Sequence, residues 1–142
     1  MGMLSHYDPV AQALREHLAV CGDLLALARK EADALRQPGP FPSAQIQADR
    51  KALLIRLQSS SRSVASQRKR WCQLNPPGVE MPPELAELLR STLDTITRVL
   101  IADRENETSL LRRGLLPPRS LPRAEQLQRN FVARTYQRHA RN

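Results

Sequence analysis

The residues able to do chemistry are few and badly placed for it. Cys21 and Cys72 are the two cysteines, and neither has a second cysteine or a histidine at metal-ligand spacing. His6, His17 and His139 form no cluster, and five scattered glycines cannot build a phosphate-cradling loop. Glu84 and Glu87 are near neighbours, as paired acid–base carboxylates would be, but both fall in the first turn of a predicted helix, where its dipole favours acids without any catalytic duty. The expectation is therefore a protein that is not an enzyme, with no catalytic, cofactor-binding or metal-binding residues. Cys21 reads as a buried structural thiol.

Two other features carry more information. Leu127 and Phe131 lie four apart, as do Val132 and Tyr136, and Arg123, Arg129, Arg134 and Arg138 flank them. On a helix these form a narrow apolar face with a basic surround, the pattern of an anchor segment for a protein partner. The second feature is Asp103-Arg104-Glu105-Asn106-Glu107-Thr108, which interrupts an apolar stripe. It reads either as a solvated stretch beyond the end of its neighbours or as a place where Asn106 fixes helix register.

The elements that must position these residues are marked by proline. Eleven prolines fall mostly at Pro38-Gly39-Pro40-Phe41-Pro42, Asn75-Pro76-Pro77-Gly78, Pro82-Pro83 and Pro117-Pro118 with Pro122. The intervals between them are free of proline and nearly free of glycine, as helices are when their breakers are kept for loops. From Pro9 to Gln37, behind Asp8 as cap, residues Leu14, Leu18, Cys21, Leu25, Ala28, Ala32 and Leu35 step 4, 3, 4, 3, 4, 3, and Leu24 and Leu27 widen the stripe. From Ser43, read as a cap, to Leu74 the same frame gives Ile46, Arg50, Leu53, Leu57, Ser60, Val64, Gln67, Trp71 and Leu74. The serine run at 59–63 marks a thin stretch of that helix, a candidate hinge or break. From Pro83 to Arg113 the stripe is Leu85, Leu89, Leu93, Ile96, Leu100, Leu110 and Leu111, with Gly114 placed to end it. Each helix spans roughly 45 Å at 1.5 Å per residue. Three matched helices on short loops lie side by side. The fold class is all-α: three long antiparallel helices, coiled-coil-like, plus a short basic C-terminal helix. The division is a bundle over 1–116 and a proline-tethered arm over 117–142.

Charge follows the same boundaries. Residues 56–71 carry five bases and no acid, and residues 112–142 carry eight arginines against Glu125. The rest is balanced or acidic, so a formal +8 describes a near-neutral bundle with a basic arm. No apolar run is long enough for a membrane span, and no secretory leader is read at the start, so the expected location is cytoplasmic.

Leu24-Leu25-Ala26-Leu27-Ala28-Arg29-Lys30-Glu31-Ala32-Asp33-Ala34-Leu35-Arg36 resembles the first-helix pattern of flagellar type III export chaperones of the FlgN/FliT kind. Ala48-Asp49-Arg50-Lys51-Ala52-Leu53-Leu54-Ile55-Arg56-Leu57 resembles the start of their second helix, and Asn106-Glu107-Thr108-Ser109-Leu110-Leu111 is similar to the asparagine-then-aliphatic signature late in the FlgN third helix. The likeness covers about residues 10–113. Asp103 stands where FlgN-type chains usually repeat the asparagine. The resemblance implies a chaperone that binds late flagellar subunits, hook–filament junction or cap proteins, before export. Its C-terminal segment, here from Arg123 onward, would engage the subunit and the export apparatus. Leu127, Phe131, Val132, Tyr136, Arg129 and Arg134 are thus the expected partner-binding residues, and Asn106, Leu110 and Leu111 the family motif. The alternatives are a structural coiled-coil adaptor, with a second copy as partner, and a basic helical nucleic-acid-binding protein. For the last, no recognised motif is present and aromatics are 4%, too few for a stacking platform.

Overall fold

The computed structural model describes residues 8–115, all but the loops helical: α1 (Asp8–Arg36), α2 (Ser43–Leu74) and α3 (Pro83–Arg112). The all-α expectation holds across these residues. The arm with its expected short helix lies outside them. So do its expected partner residues, Leu127, Arg129, Phe131, Val132, Arg134 and Tyr136. The chain divides into two units, residues 1–103 and 104–142, and α3 runs across the division.

In the first unit α1 and α2 form an antiparallel hairpin, the most closely packed pair. Its register is visible in cross-helix partners: Glu31 meets Arg50, Asp23 meets Arg56 at 3.2 Å, and His17 meets Ser60 at 2.7 Å. Moving back along α1 moves forward along α2. α3 returns parallel to α1, with Arg15 paired to Glu84 and Leu85 clustered with Val10, Ala11 and Leu14.

Burial is shared unevenly. Ten of the 29 residues of α1 are buried, against one, Ile46, of the 32 in α2. The expected α1 stripe is buried at Leu14, Cys21, Leu24, Leu27 and Ala28 but is too narrow: Ala11, Ala13, Val20 and Glu31 are buried outside it, while Leu18, Leu25, Ala32 and Leu35 are only half-buried. The cause is that α1 is covered from two sides, so two adjacent stripes turn inward. Its small residues Ala11, Ala13, Cys21 and Ala28 suit that central place, because they let neighbouring backbones approach closely.

α2 keeps its predicted frame: Ile46 is buried and Arg50, Leu53, Leu57, Ser60, Val64, Gln67 and Trp71 are half-buried, though Leu74 is exposed. It runs unbroken through the serine run, where Ser60 donates to the Leu57 carbonyl (3.0 Å) and accepts from Nδ1 of His17. The cap is Pro42 rather than Ser43, which is the first helical residue. Pro42 has no side-chain oxygen to cap with, and its carbonyl accepts the Ile46 N–H at 3.2 Å.

In the second unit α3 ends as expected. Gly114 adopts φ 69°, a left-handed conformation that glycine takes without penalty. Its N–H bonds the Leu111 carbonyl (3.0 Å), and the Leu115 N–H bonds that of Leu110 (2.9 Å), a Schellman closure. Asn106 and Leu110 are buried and Leu111 is half-buried, so Asn106 is not a solvated residue. No buried side-chain nitrogen or oxygen among the described residues lacks a partner.

Candidate partner-binding crease

α2 and α3 do not close over α1 within the first unit. One edge of the α2 frame, Leu57, Val64 and Trp71, joins Leu54, Ser61 and Arg68 beside it as one wall of a crease; the inward stripe of α3 forms the other, with α1 as its floor. One stretch has a volume of about 460 Å³; Val64, Arg68, Trp71 and Cys72 of α2 face Leu85 and Leu89 of α3 across it. A second, of about 300 Å³, lies between Leu54, Leu57 and Ser61 on α2 and Ile96, Val99 and Leu100 on α3, over Cys21 and Leu24. Along α2 the lining positions from Leu54 to Trp71 keep the 3–4 spacing of one helix face, so the two stretches share a wall.

The Asn75 backbone N–H (3.1 Å) and its Nδ2 (2.8 Å) both donate to the Trp71 carbonyl, closing the end of α2. Above it, Val10, Ala11, Leu14 and Leu85 form the buried cluster against which Trp71, Val64, Leu88 and Leu89 pack.

The other end of the crease is polar. Glu31 is 1% exposed and bound by the guanidinium of Arg50, which also reaches Asp103 at 3.4 Å. Desolvation pushes the Asp103 carboxyl above its ordinary range; Arg50 opposes this and the charge of Glu31 adds to it. Burial lowers the His17 imidazole and raises the Cys21 thiol, which is buried as expected. Among the described residues no three His, Cys, Asp or Glu side chains converge as a metal site needs.

The rims of the crease differ. On α3, Leu93 is 66% exposed although the apolar pattern placed it on the buried stripe; Thr92 is buried instead, its hydroxyl donating to the Leu88 carbonyl at 2.7 Å. Leu100 is also exposed. On α2, Lys51 is exposed beside the crease, and Arg62 and Lys69 are exposed farther round the helix. Sequence reasoning identified the frames of α2 and α3 but not the gap between them. The large apolar residues left over on α3 were the available signal.

Comparison with protein-family models, with curated proteins and with solved structures finds no match to this chain. No helix among the described residues is long and apolar enough to cross a membrane.

Proposed function

We propose that this chain is a cytoplasmic export chaperone of the FlgN/FliT kind, which holds a late flagellar subunit, a hook–filament junction or cap protein, before type III secretion. The observation that carries the reading is the open crease. A helical unit with its own core leaves Leu54, Leu93 and Leu100 uncovered, and apolar surface of this kind marks a partner site. Its length and 3–4 spaced lining suit an amphipathic helix laid in the groove. The resemblance over residues 10–113 supplies the class of partner.

Each large apolar side chain covered by the cargo contributes at most about 1.5–3 kcal/mol, before the cost of ordering the cargo is subtracted. The net affinity is modest, which suits a carrier that must release its load. The arm from Arg123 onward adds a second contact, with Leu127, Phe131, Val132 and Tyr136 as anchors and Arg129 and Arg134 beside them.

The test is retention of purified junction and cap subunits on the immobilised chain. The intact chain retains one of them. Leu54→Asp and a truncation after Leu116 each lose it while still melting cooperatively. Failure of the intact chain to retain any such subunit sinks the reading, and full retention by the truncated chain removes the arm from it.

One observation favours a second reading, a self-assembling adaptor. Leu93 and Leu100 are seven residues apart and both exposed, the spacing of a seam between two copies. Sedimentation of the chain and of Leu93→Asp decides this: a dimer that the substitution splits supports the adaptor, and a monomer in both removes it.

A further inference from the structure

We infer that the crease selects an acidic amphipathic helix, whose carboxylates lie along the α2 rim and whose apolar face reaches over to α3. This rests on reading the crease as a partner site and adds the chemistry of what it takes.

The charge distribution carries the inference. Between Arg56 and Trp71, α2 has five bases and no acid. Arg56 is paired with Asp23, but among the described residues Arg62, Arg68, Lys69 and Arg70 take part in no ion pair, nor does Lys51 nearer the start of the helix. The acids of α3 that could offset them from across the crease, Glu84 and Glu87, are taken by Arg15 and Arg90.

The placing of these cations matters as much as their number. Arg68 lines the apolar cavity itself, between Val64 and Trp71. Lys51 follows the lining residue Arg50, at the place that in a coiled coil flanks the apolar seam and sets the charge of the partner; Arg62 and Lys69, which follow the lining residues Ser61 and Arg68, lie one position farther out on the same side of the helix. The α3 rim opposite presents Leu93 and Leu100. A helix in the crease therefore meets Arg68 in the lining and Lys51 at the α2 edge, with the charge of Arg62 and Lys69 behind them, and leucines along the other edge. An acidic edge is attracted, and a basic edge meets unrelieved like charge.

Trp71 is the single tryptophan of the chain and lines the crease, so its emission reports occupancy directly. The full chain is titrated with two synthetic amphipathic helices that share one leucine face, one with glutamate and the other with lysine on its polar edges. A DNA duplex is the third titrant. The expected result is a blue shift of Trp71 emission with the acidic peptide alone, weakened by salt. In the triple variant Lys51→Glu, Arg62→Glu, Lys69→Glu, affinity for the acidic peptide falls about tenfold or more and the lysine peptide becomes the better ligand. These residues are exposed, and an unchanged circular dichroism spectrum checks that the variant folds.

Equal binding of both peptides overturns the inference and leaves the crease as a helix site. A Trp71 shift with neither peptide overturns the crease reading too. A shift with duplex that exceeds that with the acidic peptide and collapses with salt overturns the inference in favour of nucleic acid. Retention of a flagellar subunit that the acidic peptide cannot displace leaves the proposed chaperone standing and removes the acidic helix.

Discussion

The guanidinium of Arg50 holds the carboxylate of Glu31, which is almost wholly withdrawn from water. The pair ties the last third of α1 to the first third of α2, and Asp103 brings α3 to the same cation. A buried carboxylate survives only while its partner does. Arg50→Met leaves Glu31 buried and unpaired, at an expected cost of about 3 kcal/mol. Adding Glu31→Leu recovers most of that loss, because the two charges go together. Urea denaturation of the two variants measures both effects.

Asp103 follows the opposite logic. Desolvation raises its carboxyl above the ordinary value of 3.8, so the folded chain holds that proton more tightly than the unfolded chain. Its contribution is complete below 3.8 and is lost as pH rises through the raised value. Asp103→Asn removes this loss. The variant is expected to be at least as stable as the parent at neutral pH and to lose any advantage well below 3.8, where both side chains are uncharged. Urea midpoints at the two pH values are the measurement.

His17 gives a slope of the same sign as an ordinary acid denaturation. Burial lowers its imidazole below 6.5, so the unfolded chain binds the proton first as pH falls. Stability is therefore lost on acidification from 6.5 down to the folded value. His17→Asn keeps a polar group beside Ser60 and removes the titration. Its stability between pH ~7 and ~5 is expected to be flatter than the parent's.

Leu14 and Leu93 look alike in the apolar pattern, and the structure separates them. Leu14 is 3% exposed and Leu93 66%. Leu14→Ala is expected to cost about 3 kcal/mol. Leu93→Gln should change stability by less than about 0.5 kcal/mol. A thermal or urea melt of each settles the contrast.

The same two residues show what sequence could reveal. Helix ends were legible because proline, asparagine and glycine act locally: Gly114 needs no distant neighbour to end α3. The α2 frame was legible because a single stripe of period 3.5 met a single neighbouring helix. The α1 stripe was drawn too narrow, since being covered from two sides is a property of the assembly. Leu93 was misplaced for a related reason. Periodicity shows that a helix has an apolar face but not its width, and the rim of a crease lies at the edge of that face. Asn106 was open between solvent and interior, and the structure buries it.

Concentrating burial in α1 also orders the chain in time. Amide protons exchange through local openings, and the elements with few buried side chains open first. α2 has Ile46 near its start and nothing else buried for the rest of its length. Its amides beyond the serine run should therefore exchange well before those of α1, and the wall carrying Trp71 should be the first to slow when the crease is filled.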